Sequence, residues 1–306
     1  MANNLIVSSS PHITDRDSTQ KIMARVIIAL MPALIAATVI FGYRALVLTV
    51  VTVAACVAFE AFYCLILKKP IPVKDLSAVV TGLLLAFNLP PELPLWMAVI
   101  GAFVAIVITK QLFGGLGCNF ANPAIVGRIV LALSFTQKMT AFTYPDSGVD
   151  ALASATPLQA SFDGNYPYLT LLLGNHGGVL GETCALALLI GGVYLIATKV
   201  ISPVTPLAYL GTVAVMSLLC GQNILFELLS GGLMLGAFFM ATDYTTSPYT
   251  EKGKLVYGIA LGLITCLIRF FGASAEGVSY AILIMNLLVP YINRLTRQKV
   301  LGGAKK

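Results

Sequence analysis

Residues 22–41 read IMARVIIALMPALIAATVIF, twenty residues with a single charge at Arg25. About 20 apolar residues, rising 1.5 Å each, cover the ~30 Å of hydrocarbon in a bilayer, so this stretch reads as a membrane-crossing helix. It follows a polar segment, 1–21, and has no convincing small-residue cleavage site, which makes it an anchored helix and not a removed signal peptide. Nine further apolar runs lie between Gly, Pro and charge breaks, at 45–67, 76–89, 95–110, 122–135, 180–199, 204–220, 224–241, 255–271 and 277–293. Two of them, 76–89 and 122–135, are short for a full crossing. Short spans of this kind are tilted or broken helices that end on a protein-lined cavity, where freed backbone groups still find partners.

The composition agrees. The chain has 306 residues, 58% hydrophobic and 10% charged, where a soluble protein spends about a quarter on charge. That excludes a soluble enzyme, a disordered chain and a nucleic-acid binder, despite the net charge of +6. The expectation is an all-α integral membrane protein with about ten transmembrane helices in one polytopic domain. Residues 1–21 form an N-terminal segment, 22–135 a first repeat, 136–168 an outer loop, 169–293 a second repeat and 294–306 a tail. Ten spans put both termini on one side. Of the 19 Lys and Arg, fifteen fall on that side; Arg44, Lys138 and Arg269 fall on the other, and Arg128 sits inside a span. The basic side is cytoplasmic, so both termini face the cytoplasm of a multi-pass inner-membrane protein. The excess charge meets anionic lipid.

The two halves look alike. Thr81-Gly82-Leu83-Leu84-Leu85 leads, through a Pro-bearing break, to a helix ending Thr109-Lys110-Gln111-Leu112-Phe113-Gly114; Gly231-Gly232-Leu233-Met234-Leu235 leads in the same way to Leu267-Ile268-Arg269-Phe270-Phe271-Gly272. Five spans per half, an odd number, would make the repeats inverted, with their broken helices meeting near the midplane. Apolar helices also resemble one another by composition alone, but the Gly/basic/Phe-Gly order is less generic than a Leu-rich run.

Six dispersed cysteines with no C-x-x-C, and only His12 and His176 for company, argue against metal or iron–sulfur ligation by this chain alone. Gly114-Gly115-Leu116-Gly117 follows an apolar helix and not a strand, which suits a close helix approach or re-entrant turn better than a phosphate cradle. Asn122-Pro123-Ala124 and Thr242-Asp243-Tyr244-Thr245-Thr246-Ser247-Pro248 both place hydrogen-bonding side chains beside an interrupted helix on the cytoplasmic side. A binding site between them and helix capping are both open readings. Arg25, Glu60, Arg128, Glu182, Glu227 and Arg269 lie within or at the edge of spans, where a charge costs ~2.5–3.5 kcal/mol on insertion scales and marks a functional candidate.

The most specific feature is Asp150-Ala151-Leu152-Ala153-Ser154-Ala155-Thr156-Pro157-Leu158, in the long outward segment. An Asp, two variable residues, small residues and then Ala-Thr is the pattern of a flavinylation site, where the Thr hydroxyl takes an FMN group from FAD as a phosphoester. The chemistry needs a hydroxyl on an exposed loop with small neighbours, so that a modifying enzyme can close over it. An ordinary Ser/Thr loop has a similar look; the outward placement in a ten-span chain favours the modified one.

On these residues the chain resembles the RnfD/NqrB family. That family holds a membrane component of the Rnf complex, the ion-translocating ferredoxin:NAD+ oxidoreductase, and one of the sodium-pumping NADH:quinone oxidoreductase. The likeness runs through Ser9-Ser10-Pro11-His12, Leu112-Phe113-Gly114-Gly115-Leu116-Gly117, Asn122-Pro123-Ala124, Ser154-Ala155-Thr156-Pro157-Leu158 and Gly236-Ala237-Phe238-Phe239-Met240-Ala241-Thr242-Asp243. The family commonly has Ser or Thr in place of Ala153 and Gly in place of Ser154; the acceptor hydroxyl is intact. The short segment before residue 22 is closer to the Rnf component. The resemblance implies a urea-transporter-like fold of two inverted five-helix repeats. It implies covalent FMN on Thr156, with Asp150, Ser154, Ala155, Pro157 and Leu158 around it. It also implies partners that carry iron–sulfur clusters and further flavin, a flavin transferase for maturation, and coupling to Na+ or H+ movement. Related chains hold a second, non-covalent riboflavin near the cytoplasmic side; Lys110, Asn122, Arg128, Thr242 and Asp243 are the residues expected there or on an ion path. A passive channel or secondary transporter for a small solute would explain the spans and the repeat as well. It would not explain the pattern from Asp150 to Thr156.

Overall fold

The computed structural model describes residues 17–69, 72–142, 158, 168–174, 176–182, 184–272 and 277–297. They are helical, with a helix at each of the ten expected places. Four are long and apolar enough to cross a bilayer: α1 (Thr19–Phe41), α2 (Tyr43–Ile66) and, late in the chain, Glu251–Phe271 and Gly277–Leu295. Between them come shorter helices: α3 (Ser77–Phe87), α4 (Leu95–Gln111), α5 (Pro123–Ser134), α6 (Tyr168–Leu173), α7 (Ala185–Ala197), α8 (Val204–Leu219), α9 (Ile224–Leu229) and α10 (233–240). The last two long helices are α11 and α12. Large apolar side chains point outward along the bundle, with Val39 of α1 79% exposed and Leu218 of α8 66% exposed. Such a surface is stable only against lipid or a partner.

Local chemistry explains the helix ends. Ser18 caps α1 by accepting the Lys21 N–H, Asn122 caps α5 ahead of Pro123 at its first position, and Thr250 caps α11 by accepting the Gly253 N–H. Gly42, at φ +75°, turns α1 directly into α2. The run expected as one helix over 224–241 is broken: Gly231 stands at φ +66°, and the chain restarts at Leu233. The helix expected to begin at 180 begins at Ala185 instead. There the Leu180 and Gly181 N–H groups donate to Leu89 O and Phe87 O, at 3.1 and 2.7 Å. A tertiary partner has taken the donors a helix would have used.

Small residues set the packing. On α11, Gly258 and Gly262 lie four apart against α8; a Cβ on Gly258 would sit 2.7 Å from Ala208 Cβ, and one on Gly262 2.5 Å from Thr212 Cβ. This is the small-xxx-small contact that lets two backbones approach inside a membrane. Between the halves α1 packs on α7 and α5 on α12, so helices of corresponding rank face one another. Both α4 and α10 end in a π-type stretch, Val104–Gln111 and Gly236–Met240, a distortion that recurs at functional sites.

Candidate functional site

A cleft opens at the end of the bundle where α1 starts and where α4, α7 and α10 finish. Its apolar walls come from Met23 and Val26 of α1, Val80 and Leu84 of α3, Leu195 of α7, and Phe238 and Phe239 of α10. Its polar groups are Ser77, Thr81, Lys110, Asn119, Asn122, Thr242, Asp243 and Thr245. Four residues singled out from sequence therefore meet in one place: Lys110, Asn122, Thr242 and Asp243.

Each is held by a stated partner. Lys110, 1% exposed, donates from Nζ to Ser77 Oγ at 2.6 Å and pairs with Glu60 Oε1 at 2.7 Å. Gln111 Nε2 donates to the same Glu60 oxygen at 2.8 Å, and Ser77 Oγ donates to Asp75 Oδ1 at 2.7 Å. Two buried charges are tolerable here because the pair is close and hydrogen-bonded. The Asp243 carboxylate accepts the Thr245 N–H and Oγ–H and the Thr246 Oγ–H, at 3.3, 2.9 and 3.2 Å. Burial holds the Asp243 carboxyl above its ordinary range, against the pull of those donors and of Lys110. Thr242 Oγ1 donates back to Phe238 O at 2.6 Å. Asn122 binds from both ends: its Oδ1 caps α5 and its Nδ2 reaches Met240 O at 3.5 Å. Asn286 of α12, with its amide turned to suit its neighbours, accepts the Asn122 N–H and donates to Thr246 O and Tyr257 Oη. The cleft wall is thus stitched from both halves.

Asn119 is different. Its side-chain oxygen is buried on the cleft wall with no hydrogen-bond donor among the described residues.

Arg128 is not in the cleft. It lies on α5, 4% exposed, donates from Nη1 to Ser279 Oγ of α12, and its Nη2 stands 3.7 Å from Glu182 Oε1. A third buried pair, Arg269 Nη1 with Glu227 Oε2 at 3.0 Å, lies at the opposite end of the bundle from the cleft. Arg269 also donates to Glu227 O at 2.8 Å and Ser230 O at 3.1 Å. Of the expected flavinylation stretch, Asp150, Ser154, Ala155, Thr156 and Pro157 lie outside the described residues. Leu158 is described: its Cδ1 stands 2.7 Å from where a Cβ on Gly231 would be, and Arg269 Nη2 stands 3.2 Å from the same point. Arg25, expected at the edge of the first span, reaches back to Asp17 at 2.9 Å.

Sequence reasoning did not find the pairing of Glu60 with Lys110 or of Glu182 with Arg128. It also did not find the contribution of Phe238 and Phe239. The lone acidic residue in each apolar run was the available signal; its partner was not.

A family profile described as "NQR2, RnfD, RnfE family" matches residues 6–302. The chain is 51% identical over 308 residues to the D component of the Na(+)-translocating ferredoxin:NAD(+) oxidoreductase complex of Acetobacterium woodii, covering 99% of this chain and 96% of that protein. It is 39% identical over 320 residues to the D component of the proton-translocating ferredoxin:NAD(+) oxidoreductase complex of Clostridium ljungdahlii, covering 98% and 97%. It is 37% identical over 329 residues to the D component of the ion-translocating oxidoreductase complex of Stutzerimonas stutzeri, covering 94% and 93%.

Proposed function

Because this chain belongs to the NQR2, RnfD, RnfE family, we propose that it works as the RnfD-type membrane component of a complex coupling ferredoxin:NAD+ oxidoreduction to cation translocation. The observation that carries this is the length of the match: two such components of ferredoxin:NAD(+) oxidoreductase complexes align along nearly the whole of both chains. Its partners are then the other subunits of the complex, with their iron–sulfur and flavin centres. A host membrane lacking this chain should lose ferredoxin-driven NAD+ reduction and the ion uptake tied to it, and re-expression should restore both. Retention of both without the chain would refute the reading.

Covalent FMN on Thr156, added by a flavin transferase, is supported by the Asp150-to-Leu158 pattern and by the seat of Leu158, two residues on, against Gly231 beside Arg269. Denaturing gels of the protein from its native host should show a fluorescent band that Thr156→Val removes.

The cleft fits a second, non-covalent flavin. Apolar walls from Phe238, Phe239 and Leu84 suit the ring, and the undonated Asn119 oxygen suits a ring imide N–H. Among the described lining residues the one cation, Lys110, is already held by Glu60, and Asp243 adds a carboxylate. An uncharged flavin such as riboflavin therefore suits the cleft better than a phosphorylated one. When bound, such a group supplies single-electron chemistry. The chain's part is to bind it, keep it from water and hold neighbouring charge fixed through Lys110, Glu60 and Asp243.

The ten crossings, the inner-membrane placement with cytoplasmic termini, and the two inverted five-helix repeats belong to the same proposal. In favour of the repeats, α1 faces α7 and α5 faces α12, as a two-fold relation between halves requires. A basic side chain near the end of α4 also reaches the start of α3, just as one near the end of α11 reaches α9.

A further inference from the structure

Three interruptions of helix converge inside the bundle: the end of α3 at Phe87–Leu89, the segment 176–182, and the break between α9 and α10 at Ser230–Gly232. Glu182 stands where they meet, 3% exposed. The backbone amides of Val179 and Gly232 face its carboxylate. Two glycines leave it room: a Cβ on Gly232 would lie 3.0 Å from Oε1, and one on Gly178 would lie 3.6 Å from Oε2 and 3.8 Å from His176 Cε1. His176 and Glu182 are therefore near neighbours across Gly178.

The donors nearby are committed elsewhere. Arg128 gives Nη1 to Ser279 and keeps Nη2 3.7 Å from Glu182 Oε1, near enough to attract but beyond a hydrogen bond. Arg269 spends Nη1 on Glu227 and Nη2 on Ser230 O. Six buried side-chain atoms lack a hydrogen-bond partner among the described residues, and four belong to this one neighbourhood: Glu182 Oε1, His176 Nε2, Ser230 Oγ and Arg269 Nε. His176 Nδ1 lies 3.2 Å from Gly177 O, the geometry of an Nδ1–H donor, which leaves Nε2 as a bare lone pair. A buried polar atom left dry is costly. A group of them in one place therefore marks a bound species. Three of the four are lone-pair sites, on a carboxylate, an imidazole and a hydroxyl, which suit a small cation; the fourth, Arg269 Nε–H, is a donor and is not part of that ligand set. Backbone breaks inside a membrane bundle are where transport proteins place such a cation.

We infer that Glu182, His176 and Ser230 form an internal site for a small monovalent cation, H+ or Na+, with Arg128 and Arg269 as fixed positive neighbours that keep the cation weakly held. Weak holding is what passage requires: an ion must enter and also leave. No bond is made or broken; a proton at this site would rest on Glu182 Oε1 or His176 Nε2, and Na+ would take oxygen ligands from Glu182 and Ser230. The charged and titratable groups around Glu182 are Arg128 from α5, Arg269 from α11, Glu227 from α9 and Tyr280 from α12 beside Arg128, so its titration is read in their field. The role in coupled transport rests on the function proposed above; the binding site itself does not.

The test uses membrane vesicles holding the complete complex, with Glu182→Gln and Ser230→Ala. In assembled Glu182→Gln complex, ions moved per NADH formed should fall about tenfold or more. If the cation is Na+, the half-saturating Na+ concentration for NADH formation rises in Ser230→Ala and the pH profile does not move. If it is H+, the wild-type-minus-Glu182→Gln infrared difference spectrum of purified complex shows a carboxylic C=O band that titrates with pH and ignores Na+. An unchanged ion-to-electron ratio in assembled Glu182→Gln complex, with lowered thermal stability as its one effect, would make the cluster structural and overturn the inference. Should Glu182→Gln fail to assemble, Glu182→Asp, which keeps the charge and shifts its position, must lower the same ratio or the inference falls. If removing the whole chain leaves coupled activity intact, the proposed function fails, while the infrared band still decides whether Glu182 binds a proton.

Discussion

Lys110 Nζ donates to Ser77 Oγ at 2.6 Å, tying the last turn of α4 to the first residue of α3. Arg269, near the last turn of α11, does the same for the short helix α9 through Glu227 and Ser230. Lys110 thus steadies the start of a helix too short to cross the bilayer, and Arg269 the end of another. Each is neutralised by a buried glutamate, Glu60 in one case and Glu227 in the other.

Lys110→Met should destabilise the purified protein by about 3–5 kcal/mol, because it strands the Glu60 carboxylate where water cannot reach it. The double variant Lys110→Met/Glu60→Leu should recover much of that loss. Thermal unfolding in one detergent reads both; a double variant no better than the single would show that the pair is not the source.

Gly258→Leu should separate α8 from α11. Its Cβ alone would stand 2.7 Å from Ala208 Cβ and 2.9 Å from Thr205 O, both on a packed helix with little room to yield. The expected cost, about 1–3 kcal/mol or more from overpacking, should appear as lower yield of monodisperse protein. Gly211→Leu, at a position with nothing within 4 Å, is the control and should behave as wild type.

Bound flavin in excess of the covalent group should depend on the cleft. Phe239→Ala and Asn119→Ala should each reduce the flavin released on denaturation, and neither should dim the fluorescent protein band. Thr156→Val should do the reverse. If all three variants changed both pools together, the two-site reading would be wrong.

Asp243 should make the stability of the protein pH-dependent. Its folded-state carboxyl binds a proton more tightly than the unfolded one, because burial disfavours the charge. The protonated form is thus favoured by folding. Its contribution is fully present below the ordinary value of 3.8 and is lost as pH rises through the raised folded value. The melting temperature of wild type minus that of Asp243→Asn should fall with rising pH above 3.8 and then level off. A difference that rose with pH would place the carboxylate in a stabilising pair instead.

Helix positions were legible in the sequence because a membrane helix is a local object: its hydrogen bonds close within four residues and its outer face needs only apolar side chains. So 22–41 and 255–271 lie within α1 and α11 as found. Even the cleft residues at Asn122 and Thr242-Asp243 were marked by polar groups beside interrupted helices. What the sequence by itself determined was this set of helices and loops.

The tertiary structure alone decided which charge met which. Glu60 pairs with Lys110 fifty residues away, and Arg128, expected at a second flavin or on an ion path, lies outside the cleft and against Glu182 and Ser279. It also decided that 180–182 would not be helical, since Leu89 O and Phe87 O claim the Leu180 and Gly181 amides. The physical reason is common to all three. A buried charge or an open backbone amide must find a partner somewhere, and the strength of that need is written locally; which partner is near enough is set only when helices distant in the chain pack side by side.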